Sequence, residues 1–146
     1  MNLIAFRVFA MLLLLPVFAS AGESSAEERL ARTAIFAFGG IGYAGTTSEG
    51  ETAFRAIFAS DSAESSFLHL VKSGNAQARC YALVGLRLKN RGLFDEQVGS
   101  SVASKQEVQT CAGCLMSKRP MLSVVASIQR GDYDGVASRK NEPRSR

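Results

Sequence analysis

DSAESSFLHLVKSGNAQARCYALVGLRLKNR, residues 61–91, is the stretch on which the fold turns. Its apolar residues fall at helical spacing in two blocks. Phe67, Leu68, Leu70 and Val71 make the first, and Ala76, Cys80, Leu83, Val84 and Leu88 form a stripe along the second. Asp61 and Glu64, three apart, supply a capping pair for the first block. Gly74 ends that block, Asn75 caps the next, and Asn90-Arg91-Gly92 stops it. Two helices joined by a tight turn are expected.

The same logic extends outward. Ser48 and Glu51 form an S-x-x-E capping box for a helix carrying Ala53, Phe54, Ile57 and Phe58. A glycine-rich bend, residues 39–50, precedes it. Residues 25–38 read as a first helix, with Leu30, Ala34, Ile35 and Phe38 behind the acidic Glu27 and Glu28. On the other side, Leu93, Phe94, Val98 and Val102 suggest a short fifth helix, whereas residues 107–114 read ambiguously, with an extended strand as one option. Pro120 suits the first turn of a last helix that holds Leu122, Val125, Ala126 and Ile128 and closes at Gly131. About six short helices predict an all-α single domain, either a small bundle or a short α-solenoid.

Within residues 61–91, Ala78-Arg79, Ala82-Leu83 and Gly85-Leu86 resemble the second helix of HEAT-type repeats. The likeness covers about 30 residues and assigns no site. It implies a curved helical scaffold that binds other proteins, with Arg79, Arg87 and Lys89 on an exposed ridge.

The chain has 146 residues, 17 basic and 13 acidic, for a formal charge of +4. Its 47% hydrophobic and 21% charged content is that of a folded domain. Residues 1–21 have the layout of a signal peptide: a short start carrying Arg7, the apolar run VFAMLLLLPVF from Val8 to Phe18, and the small-residue site Ala19-Ser20-Ala21. The run is short for a membrane span and contains Pro16, and no cysteine follows it to take a lipid. The expected organisation is a signal peptide over 1–21, a helical domain over 22–138 and a basic disordered tail over 139–146. Export to the periplasm or the medium removes ATP, NADH and a reducing thiol pool from the surroundings. Between residues 22 and 138 the charges balance, and the surplus sits in Arg139, Lys140, Arg144 and Arg146 against Glu142. That tail reads as a solvated terminus. Tyr43, Tyr81 and Tyr133 do not interleave with cations, so nucleic acid is not an expected partner.

Three constellations invite chemistry. Gly40-Ile41-Gly42-Tyr43-Ala44-Gly45 spells G-x-G-x-x-G, but Thr46-Thr47-Ser48-Glu49-Gly50 interrupts the helix that a dinucleotide site would need. The same segment is a candidate binding loop, because Thr46, Thr47 and Ser48 place hydroxyls beside amides at a helix start. Cys111-Ala112-Gly113-Cys114 has the spacing of a small disulfide ring or a redox pair, and Leu115 in place of histidine excludes haem attachment. A Cys111–Cys114 disulfide is expected, with Cys80 as the leftover buried thiol. His69, Cys80, Cys111 and Cys114 complete the only four-ligand zinc set, but its His69/Cys80 half lacks a compact knuckle. A single histidine and the lack of a G-x-S-x-G elbow leave serine hydrolysis thin.

The expectation is an exported, non-catalytic helical protein that binds a protein partner. It needs no cofactor and has no stable membrane insertion once the signal is cleaved. The rivals are a CxxC thiol–disulfide oxidoreductase with Cys111 as nucleophile and an exported immunity or inhibitor protein.

Overall fold

A computed structural model describes residues 25–102 and 104–139. The signal peptide expected over residues 1–21 lies outside them, as does the 139–146 tail apart from Arg139.

The protein is mainly helical. Its elements run α1 (Ala26–Ala31), β1 (Gly40–Ile41), β2 (Thr46–Thr47), α2 (Glu49–Phe58), α3 (Ala63–Ser73), α4 (Ala76–Lys89), α5 (Arg91–Val102), β3 (Glu107–Ala112), β4 (Leu115–Pro120), α6 (Met121–Arg130) and α7 (Asp134–Ala137). No helix among the described residues is long and apolar enough to cross a membrane.

The 61–91 stretch forms the expected helical hairpin. The Asn75 side chain accepts from the Ala78 amide at 2.8 Å and starts α4. Asn90 ends α4 through its own amide, and its side chain then accepts from the Leu93 amide at the start of α5. The turn expected to stop one helix therefore joins two. Asp61 does not cap α3: Ser62 precedes that helix and makes no side-chain cap bond, while Glu64 accepts from Asn90 Nδ2 at 3.1 Å. The central helix α4 is buried on nearly every side, from Ala76 to Leu86. Gly85 lets α3 cross it closely, because a Cβ there would lie 2.3 Å from the Phe67 ring.

The first helix ends at Ala31 and does not reach Phe38. Thr33 to Phe38 is rich in β-branched and aromatic residues, which favour extended backbone. Phe36 and Ala37, adjacent in sequence, are both buried, because the segment is extended with core on both sides. The all-α expectation also omits two antiparallel hairpins, β1–β2 and β3–β4. In the second, the register runs from Glu107 opposite Pro120 to Ala112 opposite Leu115. Gly113 and Cys114 make its turn. Gly113 has φ +57° and Cys114 no positive φ, as in a II′ turn with glycine first. Beyond β4, Pro120 starts α6 and Gly131, in the left-handed region at φ +85°, ends it. Past Gly131 the chain turns into the one-turn helix α7.

Replacing Gly85 by alanine overpacks the α3–α4 crossing. The expected loss is about 1–3 kcal/mol of unfolding free energy with an unchanged m value in urea denaturation.

Candidate functional site

The candidate surface is built on the extended segment between α1 and β1. Phe36 donates its amide to the Gln109 carbonyl at 2.8 Å and accepts from the Cys111 amide at 3.3 Å, so the segment runs parallel to β3. On its other side the Tyr81 hydroxyl, fully buried on α4, accepts from the Ala37 amide at 3.0 Å and donates to the Ala37 carbonyl at 2.6 Å. Ser48 lies 3.2 Å from the same hydroxyl and accepts from the Glu51 amide, so the expected cap of α2 forms. The other half of the capping box does not. The Glu51 carboxylate, 2% exposed, accepts from the Gly39 amide at 2.8 Å and is paired with Arg55. An aromatic cluster surrounds the network: Phe36 and Phe38 meet Tyr81 edge-on, with ring centroids 4.9 and 5.1 Å apart. Burial pushes the Tyr81 hydroxyl up to about 12, although its bonds to Ser48 and Ala37 pull the other way.

This anchoring places the two hairpin tips side by side. The Gly42 amide donates to the Gly113 carbonyl at 2.8 Å, and Ile41 bridges Gly113 in parallel. The glycines of the G-x-G-x-x-G stretch serve that geometry. A Cβ on Gly40 would lie 2.8 Å from the Gly45 carbonyl oxygen, and Gly42 and Gly45 have φ of +68° and +60°. From the joined tips, Tyr43 projects fully exposed, with Leu115 77% and Met116 59% exposed beside the turn. No acidic residue lies in 40–48 or 108–119, where the charges are Lys118 and Arg119.

The candidate loop residues divide. Thr46 and Thr47 are exposed on β2, whereas Ser48 belongs to the buried cap and is not part of the open surface. Cys111 and Cys114 sit at the β3–β4 tip as free thiols, half-buried and exposed respectively, with the Cys111 thiol donating to the Gly113 carbonyl. Cys80 is buried in α4, and burial raises its thiol to about 12 against the opposing charge of Arg119. His69 is exposed on α3 beside Glu27 and Ser73. The zinc set His69, Cys80, Cys111 and Cys114 is not gathered, and no three potential ligands cluster among the described residues. Of the expected ridge, Arg87 does not stand in solvent: its side chain is 11% exposed and grips Asp134 at 3.0 Å. Arg79 donates to the Gly74 carbonyl, and the Lys89 ammonium lies over Phe58.

Reading the sequence for motifs missed Tyr43, Leu115 and Met116 as a set. The available signal was the pair of glycine-containing turns, each with apolar residues where polar ones are usual. Comparison with known protein families, curated proteins and solved structures returned no match.

Two measurements check this geometry. Brief alkylation of the reduced native protein should label Cys114 quickly and leave Cys80 untouched until denaturant is added; early labelling of Cys80 would contradict its burial. Tyr81 and Cys80 hold their protons more tightly folded than unfolded, where the ordinary values are 10.0 and 9.0. Their stabilising contribution is therefore complete below those values and lost as pH rises toward about 12. Melting temperature should fall across that alkaline range, and the Tyr81→Phe variant, less stable at neutral pH by about 1 kcal/mol, should show a shallower fall.

Proposed function

We propose that this is an exported, non-catalytic helical protein that binds a protein partner through its two joined hairpin tips. The observation that carries the reading is the exposure of Tyr43, Leu115 and Met116 on tips held together by the Gly42–Gly113 bond. Large apolar side chains on rigid turns act as anchors for a partner's pocket, with aromatic residues enriched among such anchors. The outer edge of β4 supports the same reading: among the described residues β4 pairs only with β3, so its main chain is open to an added strand. Lys118 and Pro120 on that strand discourage indiscriminate edge pairing. The α3–α4 hairpin, the part that resembles a HEAT-type unit, serves in this reading as scaffold for the tips. An immunity or inhibitor role is one form of the same activity, in which the tips enter the cleft of an enzyme.

The second reading is thiol–disulfide exchange. It is favoured by the exposed Cys114 thiol three residues from Cys111 at the same tip. In that reaction the two thiols reduce a partner disulfide to two thiols and are themselves left as a Cys111–Cys114 disulfide. The same bond, held permanently, would instead staple the tip.

Two variants separate the readings. Tyr43→Ser/Leu115→Ser/Met116→Ser should keep the wild-type melting temperature and lose, by about a hundred-fold, affinity for a partner co-purified from the native compartment. Cys111→Ser/Cys114→Ser should bind that partner normally. If the tip variant binds as wild type does, the interface is elsewhere; if only the cysteine variant fails, exchange is the function.

A further inference from the structure

A second feature shares no residue with the hairpin tips. Where α2, α4 and α7 end together, a cavity of about 370 Å3 opens between Arg55, Phe58, Ala59, Lys89, Ala137 and the Ser138–Arg139 segment. Its apolar part is the Phe58 ring with Ala59 and Ala137, and Phe58 continues inward as a stack on Phe54 with centroids 5.5 Å apart. The Lys89 ammonium lies over the Phe58 ring, 4.5 Å from its centre, so the cationic rim meets the apolar wall there.

The three cations have different duties. Arg55 is committed to the scaffold: Nε and Nη2 hold the Glu51 carboxylate, Nη2 reaches the Val136 carbonyl at 3.1 Å, and Nη1 donates to the Arg139 carbonyl. Its charge is offset by Glu51, which is buried behind it. Among the described residues, Lys89 and Arg139 make no salt bridge and no acidic side chain lines the cavity. Helix C-termini work against an anion, and α2 and α4 each bring about half a negative charge. The one-turn α7 adds little, and Arg55 already binds a carbonyl at its end. Two full positive charges against about one negative leave the rim with a surplus near a single charge. The volume is at the small end of ligand sites, which run from about 300 to 1,000 Å3.

We propose that this cavity binds a small organic monoanion with a flat apolar body, of the aromatic carboxylate or sulfonate class. The body lies against Phe58, Ala59 and Ala137, and the acid group sits between Lys89 and Arg139. A bare inorganic anion would leave the apolar wall unused, and a neutral aromatic would leave the surplus positive charge of the rim unmatched.

The test uses the mature protein and two fluorescent probes with the same kind of ring system, 8-anilinonaphthalene-1-sulfonate and the uncharged N-phenyl-1-naphthylamine. The sulfonate should bind saturably at one site and about ten-fold more tightly than the uncharged probe. Lys89→Ala should weaken the sulfonate by about ten-fold while leaving the uncharged probe unchanged, and Lys89→Arg should restore most of the difference. Circular dichroism melting of each variant confirms that the fold is intact. The Leu115→Ser/Met116→Ser variant should bind both probes as wild type does. Equal affinity for the two probes, insensitivity to Lys89→Ala, or loss of the signal in the Leu115→Ser/Met116→Ser variant would each overturn the proposal, the last by placing the probe on the hairpin tips.

Discussion

A stretch of extended backbone buried inside a mainly helical protein is the constraint on which the rest of this structure depends. Helices satisfy their own amides and carbonyls, but a strand-like segment cannot. From Phe36 to Gly39 each hydrogen bond must come from a neighbour, and an unmet one costs about 1–3 kcal/mol. The protein meets the need from two sides. Strand β3 takes both polar groups of Phe36, Tyr81 from α4 and Ser48 at the cap of α2 serve the amide and carbonyl of Ala37, and Glu51 of α2 takes the amide of Gly39. Tyr81 satisfies an amide and a carbonyl of the same residue with one hydroxyl. Ser48 and Glu51 show the same economy, since each ties the segment down while also starting or bracing α2.

That anchoring explains why two small hairpins persist on the surface of a helical body. Strands of two residues such as β1 and β2 do not hold together alone in water. Here β1 continues directly from the locked segment, and its tip is pinned to Gly113 of the neighbouring hairpin. The apolar side chains at the tips are thus displayed by backbone that is fixed from below. Mobile loops would have to become ordered on binding, and pre-fixed ones do not bear that entropic cost.

The sequence was legible where structure is local. The α3–α4 hairpin, the Ser48 and Asn75 caps, the start of α6 at Pro120 and its end at Gly131 all depend on residues within a few positions of one another. It was illegible where a distant partner decides the conformation. Leu30, Ala34, Ile35 and Phe38 do fall at helical spacing, yet pairing with β3 makes the latter part of that stretch extended. Arg87 reads as one more surface cation until Asp134 folds against it. Glu51 reads as a capping residue, although its carboxylate serves Gly39 and Arg55. The candidate site suffered most, because the nearness of Tyr43 to the 111–116 turn is wholly a product of the tertiary fold.

The Phe36–Gln109 pairing also sets an order of events along the chain. The two residues are separated by more than seventy positions, and all of α2 to α5 lies between them. Contacts within α2 to α5 are mostly between neighbours in sequence, and local contacts of that kind form fast. The extended segment leaves the ribosome long before β3 does, so the Phe36 amide and carbonyl meet only water while α2 to α5 assemble. Closure of the β3 side is then the slow, long-loop step, and it is the step that joins the two tips. The surface proposed to meet a partner is accordingly completed only after the α2 to α5 helices beneath it have assembled.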